Sequence, residues 1–377
     1  MRNYTVARVW GIPIRINVSL LVFLPVLAWL IGSGGQIEVY AGFIEALTGV
    51  GFDLGALRAG STPWVIGVLA AVGLFASVTV HELGHSWVAL RYGIAIESIT
   101  LWILGGMAAL SRIPREWNRE FWIAIAGPVT SVGVAAVCYG VVYAVPPSLP
   151  VVRFVVGWLA ITNVVLAAFN LLPAFPMDGG RILRALLARN RPYASATRIA
   201  GRVGVVFALL FAVVGALTFE VILLLLGLFI YGAATSESRT VLIDELLEGV
   251  TVGDVMNREP PSLSAGTSVA EFADRMLVER RTAYLVTDDA DDVVGVATLA
   301  GLKDVPVGER DSTPVGEIAR VLPRIASTAD AFDTMATAGT RDGPFAIVEV
   351  DGVVTGLLSG TDFGRALTLQ REFRGAA

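Results

Sequence analysis

The stretch Val78-Thr-Val-His81-Glu82-Leu83-Gly84-His85-Ser-Trp-Val-Ala-Leu-Arg91 ends an apolar run that begins near Trp64. Residues 64–91 are long and apolar enough for a membrane-spanning helix, which needs roughly 20 such residues. On a helix, residues four apart lie on nearly the same face, one turn from each other. His81 and His85 therefore present two imidazoles to one point, with Glu82 beside them. This His-Glu-x-x-His spacing suits a zinc ion, with the glutamate as general base for a water activated there. Ionisable groups inside a span cost roughly 2.5–3.5 kcal/mol each on insertion scales. Three of them within five residues therefore point to chemistry rather than packing.

These are the only two histidines in 377 residues. Catalytic zinc normally takes three protein ligands and keeps one position open, so the third must be another residue type. The single cysteine, Cys138, lies in the apolar run Val134-Ala-Ala-Val-Cys-Tyr-Gly140, which suits a packed thiol. Asp178 is the better candidate. It follows two prolines in Asn170-Leu-Leu-Pro-Ala-Phe-Pro-Met-Asp178-Gly-Gly180, where the broken backbone delivers a carboxylate near the end of a span. The competing reading of Asp178 is a helix N-cap ahead of residues 181–190.

Outward from this site, the first 243 residues predict six spans, at about 16–33, 64–91, 120–144, 152–172, 198–217 and 219–236. Arg2, Arg8, Arg15, Arg91, Arg112, Arg115, Arg119, Arg181, Arg184, Arg189, Arg191, Arg198 and Arg239 then all fall on one side. The positive-inside rule makes that side, and both termini, cytoplasmic. Residues 94–110 are β-branched and interrupted by Gly105-Gly106. They read as strands or a re-entrant hairpin, which membrane depth tolerates only beside protein or water. Residues 35–63 read as an external loop or surface helix.

Composition divides the chain. It is 55% hydrophobic and 16% charged overall. Residues 1–243 hold ten acidic and sixteen basic side chains, whereas residues 244–377 hold 23 acidic and 12 basic. The net charge of −5 argues against nucleic acid as a partner. One cysteine excludes a disulfide scaffold. The acidic part carries a repeat of about 61 residues. Val252-Gly-Asp-Val-Met256 recurs as Val315-Gly-Glu-Ile-Ala319, Tyr284-Leu-Val-Thr287 as Phe345-Ala-Ile-Val348, and Val293–Thr298 as Val353–Ser359. Each copy reads helix, strand, turn, strand, helix.

Taken together, the His81–His85 motif, Gly105-Gly106, Gly127-Pro128 and the Asn170–Gly179 segment resemble the site-2 protease family of intramembrane zinc metalloproteases. The resemblance covers about residues 60–235, without a PDZ-like insert. It implies one zinc ion on His81, His85 and Asp178, Glu82 as base and then acid, and Asn170 as a residue holding substrate or the developing oxyanion. It also implies a transmembrane protein substrate, cut within the lipid bilayer in regulated intramembrane proteolysis.

The repeat, at about 247–305 and 312–370, resembles a pair of CBS domains. That implies an adenine nucleotide as ligand and a homodimer formed through these domains. The family pattern Gly-x-x-Thr/Ser-x-x-Asp is complete in Gly356-Leu-Leu-Ser359-Gly-Thr-Asp362. In the first copy it departs at Gly295-Val-Ala-Thr298-Leu-Ala-Gly301, where glycine replaces the aspartate. Ser359, Asp362 and Thr298 are thus the candidate ligand contacts; helix capping is the competing reading. The expected architecture is an α-helical polytopic membrane domain, of about six transmembrane helices with a small re-entrant β-hairpin, at 1–243. A cytoplasmic α+β CBS pair at 244–377 completes it. The alternative is a CBS-gated transporter or channel using the histidines as an ion site. Glu82 and the lack of an inverted repeat weigh against that.

Overall fold

The computed structural model describes residues 3–33, 35–103, 105–110, 114–338 and 343–375. Arg2 and Arg112, counted above for topology, lie outside them. The chain divides into compact units at Arg239/Thr240, four residues before the change in composition.

The first unit opens with a hairpin absent from the sequence expectation. Strands β1 (Asn3–Val9) and β2 (Ile12–Asn17) pair antiparallel. They turn at Trp10-Gly11, where both residues have positive φ, 52° and 81°, as a type I′ turn requires. Arg8 and Arg15, read as the flank of a span, are strand residues. Helices α1 (Val18–Gly32), α2 (Gln36–Thr48) and α3 (Leu54–Arg58) follow. A straight span over 16–33 is corrected here. The 15 residues of α1 reach about 22 Å, short of a hydrocarbon core of about 30 Å. With α2 it forms one span only as a pair bent by 69°. Of the two readings of residues 35–63, the helix is the one found, in α2 and α3, and its apolar face is buried. Ile37, Ile44 and Leu57 are buried with Ile66, Phe154 and Trp158.

Among the described residues, five helices are long and apolar enough to cross a membrane. They are α4 (Thr62–Arg91), α5 (Trp117–Ala144), α6 (Pro150–Asn170), α8 (Tyr193–Thr218) and α9 (Val221–Leu246), with the short α7 (Asp178–Ala188) between α6 and α8. Pro63 sits in the first turn of α4, where its missing N–H costs nothing. Between α4 and α5, β3 (Ile96–Trp102) and β4 (Gly105–Leu110) form the expected hairpin. It is not isolated, because β3 also runs parallel to β2, with Ile14 opposite Ile99. The sheet order β1-β2-β3-β4 leaves β4 on an edge.

In the second unit the repeat forms two three-stranded sheets. The first comprises β5 (Ser262–Ser264), β6 (Ala283–Thr287) and β7 (Val293–Thr298), with helices α10 (Val252–Val255), α11 (Val269–Glu279) and α12 (Leu299–Lys303). The second comprises β8 (Arg324–Ala326), β9 (Pro344–Val350) and β10 (Val353–Ser359), with α13 (Val315–Ile318), α14 (Ala331–Ala338) and α15 (Gly360–Gly375). The three-residue strands β5 and β8, parallel to β6 and β9, were not foreseen.

The packing also crosses the repeat boundary. Val252 and Val255 of α10 enter the core of the second sheet beside Phe345, Val348 and Leu358. Val315 of α13 enters that of the first beside Leu263, Phe272 and Val286. Backbone bonds enforce the exchange: Gly253 N–H to Ser327 C=O, and Gly316 N–H to Ala265 C=O. Thr251 and Asp254 cap α10 reciprocally. The Thr251 N–H and hydroxyl hold the Asp254 carboxyl below the usual carboxylate range.

Candidate metal centre

α4 brings His81 and His85 to one buried point, 4% and 7% exposed. Each ring is held by its far nitrogen from α5. His85 Nδ1 lies 2.7 Å from the Ile123 carbonyl oxygen, and His81 Nδ1 lies 2.9 Å from Ser131 Oγ. A carbonyl only accepts, so His85 Nδ1 carries the proton and Nε2 presents its lone pair inward. α5 can approach this closely because it passes the rings at Gly127. A β-carbon there would lie 2.6 Å from His81 Nε2 and overlap the His85 ring.

The loop after α6 then delivers Asp178 as the first residue of α7. Gly179 and Gly180 let α7 start directly against the backbone of Leu171–Phe175. Asp178 Oδ2 lies 3.2 Å from both His81 Nε2 and His85 Nε2, and the two nitrogens are 3.2 Å apart. A tetrahedral zinc ion with bonds of about 2.0–2.1 Å separates its ligands by about 3.3 Å. The three donors thus already stand at zinc spacing. Asp178 Oδ2 is buried with no hydrogen-bond donor. The Asp178 oxygen and the inward lone pair of His85 converge on one point, where a cation would satisfy both. The residues fit zinc, and they are the one His/Cys/Asp/Glu group of this kind among the described residues.

Glu82 is half-buried next to this triad. Gly106 of β4 faces it so closely that a β-carbon there would lie 2.6 Å from Glu82 Cγ and 3.0 Å from Oε1. The edge strand of the sheet therefore borders the carboxylate.

Asn170, the last residue of α6, donates its amide back to Leu166 C=O at 3.0 Å. It is not one of the three converging groups. Cys138, on α5, is half-exposed and also lies outside the triad. In the second unit, Asp362 Oδ2 accepts from the N–H and hydroxyl of Ser359, at 2.9 and 2.5 Å. Thr298 caps α12 through Gly301 N–H at 3.4 Å. All three perform capping work at equivalent helix starts.

Sequence reasoning missed Ser131, Ile123 and a buried ion cluster. Arg184 of α7, 1% exposed, binds Glu120 of α5 and Glu237 of α9. A carboxylate at the edge of an apolar run, Glu120, was the available signal. Asn163 is fully buried and donates to Ser77 Oγ at 3.0 Å, one turn before His81.

Comparison with known proteins fits this geometry. Peptidase family M50 matches residues 69–211, and the CBS domain family matches residues 252–308. The chain is 30% identical to Zinc metalloprotease MJ0392 of Methanocaldococcus jannaschii, over 97% of both chains. The solved structure of Site-2 Protease from Methanocaldococcus jannaschii is 33% identical. It covers 63% of this chain and 95% of its own, with a TM-score of 0.43.

Proposed function

The chain belongs to peptidase family M50, the site-2 protease type of zinc metalloendopeptidase, and we propose that it cuts a peptide bond in or near a transmembrane segment of a membrane-tethered substrate. The observation that carries this reading is the triad of donors at 3.2 Å spacing with Glu82 alongside, on a helix apolar enough to span a bilayer. A transporter would need no poised base there. We assign residues 1–243 to this protease and 244–377 to a CBS pair.

His81, His85 and Asp178 would hold the ion. When bound, zinc supplies a Lewis acid and brings a water's pKa towards about 7. The chain's own residues do the rest. Ser131 and Ile123 keep both imidazoles oriented through their Nδ1 atoms. The Glu82 carboxylate takes the proton of the attacking water and returns it to the leaving amine nitrogen. A substrate helix must unwind before its carbonyl is open to attack, and its freed N–H and C=O groups then need partners. The open edge of β4 supplies them by strand addition, beside Glu82. Asn170 keeps a second amide N–H and its Oδ1 beyond the bond to Leu166, and these would contact substrate. His85 precedes Arg91 by about 9 Å of helix, which supports a site reached from the arginine-rich side, cytoplasmic by the positive-inside rule. Both termini and the CBS pair belong on that side in this reading.

The CBS pair would take an adenine nucleotide at the helix starts formed by Ser359, Asp362 and Thr298, regulate cleavage, and support a homodimer. Asp362 Oδ1 stays free to accept from a ribose hydroxyl, whereas the Ser359 hydroxyl must turn from Asp362 Oδ2 to donate to a phosphate.

The decisive experiment uses the purified full chain in proteoliposomes. Zinc content and cleavage of a membrane-helix substrate are measured for wild type and Glu82→Gln. Zinc in both, with cleavage lowered by at least about 10²-fold in the variant, is the expected outcome. Equal cleavage overturns the mechanism.

A further inference from the structure

Arg184 is the largest fully buried side chain among the described residues. Its Nε donates to Glu120 Oε1 at 2.7 Å, and its Nη1 to Glu237 Oε1 at 2.6 Å. Its guanidinium lies over the rings of Phe175 and Tyr193, 4.9 Å from each centroid. Tyr193 also points its hydroxyl at Glu120 Oε1, 3.5 Å away. Two carboxylates, two aromatic faces and a fixed planar fork define one position for this side chain. Arginine does this and lysine does not.

The three charged residues come from helices with different tasks. Asp178 begins α7, six residues before Arg184, about 9 Å along the helix and on another face. Glu120 lies on α5, three residues before Ile123, whose carbonyl holds His85. The same helix carries Gly127 against both rings and Ser131 on His81. The Arg184–Glu120 bond therefore ties the helix that supplies the third ligand to the helix that orients the other two. Glu237 adds a second anchor on α9.

We propose that Arg184 is a positioning residue for the metal centre: bound at once to Glu120 and Glu237, it fixes α7 so that Asp178 stays in register with the histidines that α5 orients. This inference rests on the reading that His81, His85 and Asp178 hold the metal. Its effect is on ligand spacing, so it belongs to metal affinity and metal geometry as well as to folding.

The test measures cobalt(II) binding to the purified full chain, by chelator competition and by the visible absorption of bound cobalt. Four variants are compared with wild type: Arg184→Met/Glu120→Gln, Arg184→Lys, Glu237→Gln and His81→Ala. The double variant removes the tether without leaving a buried unpaired charge between α5 and α7. It is expected to retain the wild-type melting behaviour, bind cobalt about 10- to 100-fold more weakly, and show a shifted spectrum. Arg184→Lys keeps the charge and is expected to fall between. A double variant that binds cobalt as wild type does, with the same spectrum, overturns the proposal and leaves Arg184 a structural residue only. If the double variant fails to fold, Glu237→Gln decides. That side chain is 29% exposed, and unchanged affinity there overturns the two-anchor arrangement. Cobalt retained at full affinity by His81→Ala would instead overturn the metal centre itself, and this inference with it.

Discussion

Gly127 of α5 faces the Nε2 edge of His85 at backbone contact, leaving no room for a β-carbon. The same missing side chain clears His81 Nε2, which a β-carbon would approach to 2.6 Å. Both metal-facing nitrogens are thus shaped by one glycine on the neighbouring helix. Gly127→Ala inserts a methyl group where the ion and rings belong. It is expected to reduce bound zinc to a small fraction of one per chain while the helices persist. Elemental analysis alongside circular dichroism checks this; full zinc content in the variant would contradict the packing.

Ser131 is fully buried and contacts His81 Nδ1 at 2.9 Å. Partners of this kind fix the ring of a metal-binding histidine, and losing one typically lowers metal affinity about 10- to 100-fold. Ser131→Ala is expected to fall in that range. His85 gains its equivalent bond from the Ile123 carbonyl, which no side-chain substitution removes. The loss should therefore stop at one ligand. Zinc titration against a competing chelator gives the number.

Gly106 of β4 presses on Glu82 rather than on the metal ligands. A methyl group at this position displaces either the strand or the carboxylate. Displacement of a catalytic group by about 1 Å can cost about 10²-fold in rate. Gly106→Ala is accordingly expected to keep its zinc and lose about that factor in kcat. A variant that loses zinc in parallel would show that β4 supports the ligands instead.

The three residues that converge on the candidate metal centre were legible because each departs from its surroundings. Two histidines four apart in an apolar run, and an aspartate after two prolines, are local signals. The five long helices were legible for the same reason, since apolar length is a one-dimensional property. What escaped the sequence is non-local. Arg8 and Arg15 carry the same charge on strands as on a helix flank. Only the pairing of Ile14 with Ile99, 85 positions later, recruits the N-terminal hairpin to the β3–β4 sheet. The Ile123 carbonyl has no side-chain signature at all. Arg184 was read as one of the arginines between the fourth and fifth spans and Glu120 stood at the edge of the third, and only their separation by 2.7 Å reveals a buried pair. The repeat was visible, yet the repeat unit is not the packing unit.

That last point gives a test in the second unit. Val252 belongs to the first copy by sequence and is buried among Phe345, Val348 and Leu358 of the second. Val315 belongs to the second and is buried among Leu263, Phe272 and Val286 of the first. Removing two methyl groups from a packed core costs about 2 kcal/mol, which raises exchange through local opening about 30-fold. Val252→Ala is therefore expected to accelerate amide hydrogen exchange chiefly in β8, β9 and β10. Val315→Ala should do so chiefly in β5, β6 and β7. Hydrogen–deuterium exchange mass spectrometry on the full chain separates the two sets of peptides. Acceleration confined to the mutated copy would mean that each repeat closes its own core. The crossed pattern means that neither repeat has a complete core without the other's leading helix, so deleting one copy should unfold its neighbour rather than leave a single working domain.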